Sequence, residues 1–202
     1  SEALKTFYVV FRDSAGNETA SPISGSITYD VTAPTPATAS VTPQPTKTLG
    51  VSVLAASSAS DLVPDAGLTL SESLSFTGAG TVGPGPVLAS TPFTLAAGTD
   101  GVRTVYSRFR DRAGNDTIVS STVTLDRAPP AAPVFSLTAT GTNNGVKFTR
   151  ANSGVSLPFT ISGSDSQTSV AQMRLSTSSA VDATGLLTTG TTSAYATAGS
   201  FT

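Results

Sequence analysis

Neither cysteine nor histidine occurs in the 202 residues of this chain, and tryptophan is absent as well. Without cysteine there are no disulfides, no thiol nucleophile and no thiolate metal site, and the redox compartment cannot be read from cysteine usage. Without histidine the commonest general base and the commonest metal ligand are gone, together with every Ser–His and Cys–His nucleophile arrangement. Enzymatic function is not expected. Charged residues make up only 12%, the net charge is −2, and the 11 Lys and Arg are spread along the chain. Nothing resembles a footprint that neutralises phosphates, so nucleic acid is not an expected partner. No apolar run approaches the roughly 18 residues that cross a bilayer. The chain opens at Ser1 with neither an initiator Met nor a charged-then-apolar leader, so any targeting or anchoring segment is expected outside this window.

What is abundant is Ser and Thr, with 18 Gly and 13 Pro, while Leu, Ile and Val fall in short alternating runs. Short strands and frequent turns are favoured over helices, and the expected class is all-β. Against this background FRDSAGNET at 11–19 returns as FRDRAGNDT at 109–117. The step of 98 residues from Asp13 to Asp111 is the length of a small sandwich domain rather than of a solenoid unit.

Each copy reads as a β-hairpin. Phe7, Val9 and Phe11 alternate with Tyr8, Val10 and Arg12, and Val105, Ser107 and Phe109 alternate with Tyr106, Arg108 and Arg110. Period two predicts a strand with one buried face, carrying Phe7/Phe11 in one copy and Val105/Phe109 in the other. The strands end at Asp13 and Asp111. SAGN at 14–17 and RAGN at 112–115 then supply Gly and Asn, which accept positive φ in a tight turn. A second run comes next, Ile23 to Tyr29 or Ile118 to Leu125, ending in Asp30 or Asp126.

Beyond each hairpin, VTAPTPA at 31–37 and RAPPAAP at 127–133 read as stiff, extended linkers. The next domain opens near Ala37 or Pro133. Between the linkers, strands are expected at 38–42, 48–55, 67–76, 86–96, 102–111 and 117–126, with a seventh left open in 78–86. The division expected is the C-terminal hairpin of a preceding domain at 1–32, a complete domain at 33–128, and a domain lacking its last hairpin at 129–202. Mid-domain, SGSDSQTSVAQMRLSTS at 162–178 lies on SASDLVPDAGLTLSES at 58–73, matching Asp165 to Asp61 and Leu175 to Leu70. PFT at 92–94 is similar to SFT at 200–202.

YSRFRDRAGND at 106–116 and VSLPFTISGSDSQTSVAQMRLSTS at 155–178 resemble the tandem bacterial immunoglobulin-like repeats of large secreted and cell-surface proteins. In that family a strand of the form V-x-L-x-x-x-A-x-D is followed by G-V-x-x-M-x-x-S, and later by Y-x-V-x-F-R-D-x-A-G-N. Thr168 and Ser169 stand where the family usually has Gly before the Val, and 37–126 carries a longer and weaker version of this region. The resemblance implies tandem immunoglobulin-like β-sandwiches joined by short Pro-rich linkers, at a cell surface or secreted. It implies spacers, stalks, adhesive modules or surface-layer components, with no common catalytic residues.

No catalytic, cofactor-binding or metal residue is assigned from the sequence. Four groups are weighed as candidates. Asp13, Glu18 and Asp30, with their counterparts Asp111, Asp116 and Asp126, could gather the six to eight oxygens that calcium needs; capping of the turn by Asp13 and Asp111 is the preferred reading. Asn17-Glu18-Thr19 and Asn115-Asp116-Thr117 fit the N-glycosylation acceptor pattern. Asp61 and Asp65 could be a glycosidase carboxylate pair, although a loop next to Pro64 explains them as turn chemistry. Tyr8, Tyr29, Tyr106 and Tyr195 could contact a ligand or pack in half-buried sheets.

The expected function is a structural rod, stalk or fibre at a cell or virion surface, and the alternative is an adhesin module using loops such as 77–91 or 182–192. The two chain ends leave three readings open. These residues are a window of a longer polypeptide with similar domains on both sides, or an excised piece. In the third reading the 1–30 hairpin of one chain completes the 133–202 sandwich of the next, head to tail.

Overall fold

The computed structural model describes residues 1–35, 37–57, 65–78, 80–138, 141–143, 146–148, 157–183 and 187–201. Every regular element among them is a β-strand, as the Ser/Thr-rich, turn-punctuated composition leads one to expect. Contacts divide the chain into two compact units, Ser1–Asp126 and Arg127–Thr202.

The first unit begins with a hairpin of β1 (Ala3–Val9) and β2 (Ile23–Tyr29), paired antiparallel from Ala3↔Tyr29 to Val9↔Ile23. Two larger sheets come after it. One contains β3 (Ala37–Thr42), β4 (Gly50–Ser57) and β7 (Thr91–Thr94) in the order β3-β4-β7. The other contains β5 (Asp65–Ser71), β6 (Val82–Gly85), β8 (Gly101–Asp111) and β9 (Asp116–Leu125) in the order β6-β5-β8-β9. A single core joins the two sheets. Val41, Val51, Val53 and Phe93 enter it from the first sheet, and Leu68, Leu70, Val105, Phe109 and Val123 from the second. Successive side chains of a strand point to opposite faces, so the alternation in β8 sends Val105, Ser107, Phe109 and Asp111 inward, each at most 1% exposed. Beyond β3 the chain crosses to the second sheet. Thr46 bridges Leu125 in parallel, its N–H donates to the Thr124 carbonyl at 2.9 Å, and its carbonyl accepts the Asp126 N–H at 2.9 Å.

The strand positions depart from the sequence reading in three places. The hairpin strand expected to end at Asp13 ends at Val9 in β1, with Arg12 and Glu18 in an isolated bridge beyond it. The run expected at 86–96 holds a strand only at β7, Thr91–Thr94. Gly83, at φ +108°, and Pro84 form the short edge strand β6, at the position left open for a seventh strand, while Phe93 and Leu95 bury their side chains in and after β7. The run expected at 67–76 ends at Ser71. Here the Ser71 hydroxyl accepts the Ser73 N–H at 3.0 Å and the Ser73 hydroxyl accepts the Ser75 N–H at 3.4 Å, which takes the backbone out of the ladder.

A fourth departure concerns burial. Phe7 and Phe11 hold the motif positions of Val105 and Phe109, yet they are 63% and 61% exposed. Identical local alternation buries a face only where a second sheet lies opposite, and among the described residues none covers β1–β2.

The second unit contains β10 (Ala131–Leu137), β11 (Gly141–Asn143), β12 (Val146–Phe148), β13 (Leu157–Ser164), β14 (Gln172–Leu175), β15 (Thr191–Ala194) and β16 (Ala198–Phe201). They form a three-stranded sheet β10-β13-β16 and the pairs β11-β12 and β14-β15. Phe159 on β13 is 2% exposed and packs on Phe135 with ring centroids 5.8 Å apart.

Phe109→Ala is expected to lower the unfolding free energy of the 37–126 sandwich by about 3–5 kcal/mol, the usual result of removing a large buried ring. Urea denaturation followed by far-UV circular dichroism checks it; a loss below about 1 kcal/mol would contradict the core position.

Candidate functional site

The repeated AGN turn lies at the end of the long β8–β9 hairpin, where the two strands can no longer satisfy each other's backbone groups. A buried carboxylate replaces the ladder. Asp111, 1% exposed, accepts the N–H of Gly114 at 2.6 Å and of Asn115 at 2.9 Å on Oδ1, and the Asn115 side-chain Nδ2 at 2.8 Å on Oδ2. Gly114 sits at φ +101°, a conformation that a Cβ makes costly. The first copy repeats the arrangement. Asp13 Oδ1 accepts Ala15 N and Asn17 N at 2.9 Å, and its Oδ2 accepts Asn17 Nδ2 at 2.8 Å. These bonds, led by that from the Asn17 side chain, hold the Asp13 carboxyl below its ordinary range.

Asn115 has a second amide hydrogen, and it faces the linker. Nδ2 lies 3.4 Å from the carbonyl oxygens of both Asp30 and Thr32. The linker is held from its other side by Glu2, whose carboxylate accepts the Val31 N–H at 3.0 Å and the Thr32 hydroxyl at 2.7 Å. Those two bonds, the Thr32 one first, lower the Glu2 pKa. Asp30 accepts the Thr32 N–H at 3.0 Å and is 8% exposed, and Pro34 is fully buried. The segment 30–34 is therefore pinned between the hairpin before it and the turn of the sandwich after it.

The sequence singled out Asp30, Asp111 and Asn115 separately, and the structure joins them through the Asn115 amide. Glu2, Thr32 and Pro34 were not singled out. The only signal for them was an Asp followed by a Pro-rich run after each hairpin, which reads as a connector and carries no mark of what the connector touches.

The other candidates are dispersed. Glu18 stands 3.8 Å from Arg12, both well exposed. Asp116 forms a forked pair with Arg110, 2.6 Å on each arm, and its pKa falls through the hydrogen bond from Arg110. Among the described residues no three acidic side chains gather where a metal ion could be held. Asp13 and Asp111 act as turn caps, in keeping with the preferred reading. Asp30 Oδ2 is buried and has no hydrogen-bond partner among the described residues.

The nitrogen that a sugar would modify is bonded to Asp13 in Asn17, and to Asp111, Asp30 and Thr32 in Asn115. Asp61 lies outside the described residues, and Asp65 begins β5 at a position whose side chain is not described. Tyr106 is half-buried on β8. Tyr195 anchors the second unit, its hydroxyl accepting the Gly163 N–H at 2.9 Å, while Tyr8 and Tyr29 lie exposed on the hairpin.

Asn115→Ala removes both the turn bond and the linker bond and is expected to cost about 1–2 kcal/mol. Faster proteolytic cleavage within 30–35 is expected in the same variant; unchanged cleavage would mean that the amide does not hold the linker. Acid should act on the Asp13 turn, the Glu2 contact with the linker and the Arg110–Asp116 pair together. Asp13, Asp116 and Glu2 all have lowered folded pKa values, so their contributions are complete above the ordinary values of 3.8 for Asp and 4.5 for Glu. Those contributions are lost as pH falls through the lowered values. Melting temperature is expected to fall as pH drops below about 4, and less so in an Asp13→Asn/Asp116→Asn variant.

No protein-family model matches the chain, and no curated protein is detectably similar to it.

Proposed function

We propose that this chain is a non-catalytic, architectural segment of an extracellular rod, stalk or fibre, built from immunoglobulin-like sandwiches joined by short Pro-rich connectors. The observation that carries this reading is the reach of Asn115 from the AGN turn to the Asp30 and Thr32 carbonyls, opposed by Glu2 on the hairpin side. A connector gripped from both sides restricts the pivot between the modules it joins, which a spacer requires and a free tether does not.

Three further features support it. The three-on-four sheet arrangement, with the chain crossing at Thr46 to the edge of β9, fits the immunoglobulin-like class. Asp13 and Asp111 serve turns and Glu18 and Asp116 serve ion pairs, and no His or Cys is present to act as base or nucleophile. The same Asp-turn-Asn device occurs in both AGN copies at a domain-length step, as expected for a device repeated at each junction.

Backbone amide relaxation tests the reading. In the parent chain, order parameters at 31–33 are expected to match the rigid-backbone level of about 0.85. In a Glu2→Ala/Asn115→Ala variant they are expected to fall toward roughly 0.6 or below, with the β3–β9 core unchanged. A parent linker already mobile on this timescale would overturn the proposal.

A further inference from the structure

In residues 37–126, β5 is hydrogen-bonded along both edges, to β6 on one side and β8 on the other. Its counterpart in the second unit is β14, and the match is visible in the hydroxyl chemistry. Ser71 Oγ meets Thr81 Oγ1 at 3.1 Å and accepts the Ser73 N–H; Ser176 Oγ meets Thr189 Oγ1 at 2.8 Å and accepts the Ser178 N–H. Met173 and Leu175 thereby take the places of Leu68 and Leu70. The β15 strand pairs with one edge of β14 as β6 does with β5, and among the described residues nothing pairs with the other edge.

The core shows the same opening. Phe159 sits across from Leu137 and Gly199 as Val53 sits across from Val41 and Thr91. Yet Leu137 is 40% exposed where Val41 is 7%, and Phe135 is 51% exposed. A groove of about 490 Å³ lies between Phe135 and Ile161 on one sheet and Leu175 on the other. In 37–126 the space between the sheets is filled by Val105, Phe109 and Val123 of the β8–β9 hairpin.

A hairpin of that pattern exists elsewhere in the chain with nothing covering it among the described residues. β1–β2 carries the same Asp-turn-Asn geometry, with Phe7 and Phe11 at the Val105 and Phe109 places and Ile27 at the Val123 place. Phe7 and Ile27 are each 63% exposed and Phe11 is 61%, whereas their counterparts are fully buried. An open sheet edge and an uncovered apolar face on one molecule invite strand addition by another.

We propose that the β1–β2 hairpin of one copy docks into the Arg127–Thr202 unit of a second copy, the segment Val9–Arg12 at the end of β1 pairing antiparallel with the free edge of β14 and Phe7 and Phe11 entering the groove. Repetition of this heterologous contact links copies head to tail. Transposing the β5–β8 register, in which Leu68 faces Phe109 and Thr69 faces Arg108, sets Met173 opposite Phe11 and Arg174 opposite Val10. This deepens the architectural reading by naming its partner. The linker relaxation measurement does not depend on it, so either can fail alone.

The absence of native cysteine makes register the test. Opposed residues of an antiparallel pair lie about 4.5–5.5 Å apart at Cα, within disulfide range. A Val10→Cys chain mixed with an Arg174→Cys chain under mild oxidation is expected to give a cross-linked heterodimer, at least about tenfold above that from a Ser24→Cys control, which sits on the far strand of the hairpin. The double variant is expected to give a ladder of polymers, and Phe7→Ala/Phe11→Ala is expected to remove it with the far-UV spectrum unchanged. Sedimentation of the parent chain is expected to show concentration-dependent association that deletion of residues 1–32 abolishes. A folded monomer at all concentrations up to about 100 μM, weaker than the μM range of ordinary specific complexes, would overturn the proposal. So would a double variant that cross-links only within one chain, or equal cross-linking by the Ser24→Cys control.

Discussion

A carboxylate buried at the tip of a hairpin organises much of its surroundings. Where β8 and β9 part, the backbone N–H groups of Gly114 and Asn115 lose their strand partners, and an unpaired buried N–H is expensive. Asp111 accepts both of them and the Asn115 side chain as well. Fixing that amide leaves its remaining hydrogen pointing along one direction, and the linker carbonyls of Asp30 and Thr32 lie there. A local requirement of the turn thus becomes a tertiary attachment. Alanine at Asp111 would disturb the turn and the linker together, since the second contact exists only while the first orients it.

The two copies of the motif separate what local sequence does from what environment does. Asp13 and Asp111 make nearly the same bonds in their turns, because every partner is within four residues. Phe11 and Phe109 share a motif position and an alternation, yet one is 61% exposed and the other fully buried. The turn is closed by neighbours in sequence and forms wherever the sequence occurs. The buried face needs an opposing sheet, which strands far away in the chain must supply.

The same separation explains the strand boundaries. The hairpin strands β8, β9 and β2 were legible because strong alternation and a Gly-Asn turn act in concert. At 72–76 a continuing strand was expected, but Ser71 and Ser73 hydroxyls capture the next N–H groups and bend the chain away. That competition between side chain and ladder is settled by fractions of a bond's energy, below what a pattern resolves. At 82–94 the division into β6 and β7 reflects which residues reach the core. Phe93 and Leu95 do, whereas Val82 stays at the edge with Gly83 and Pro84.

From the sequence alone came the all-β class, the positions of the AGN hairpins, the Asp caps of their turns and the absence of His and Cys chemistry. All of these depend on residue types and on contacts spanning a few positions. Only the tertiary structure decided that Asn115 reaches the linker, that Glu2 holds the linker from the other side, and that β14 keeps an open edge, among the described residues, beside an uncovered groove. Those features join residues separated by tens of positions, and the geometry that brings them together is set by sheet pairing and core packing, which no local pattern records.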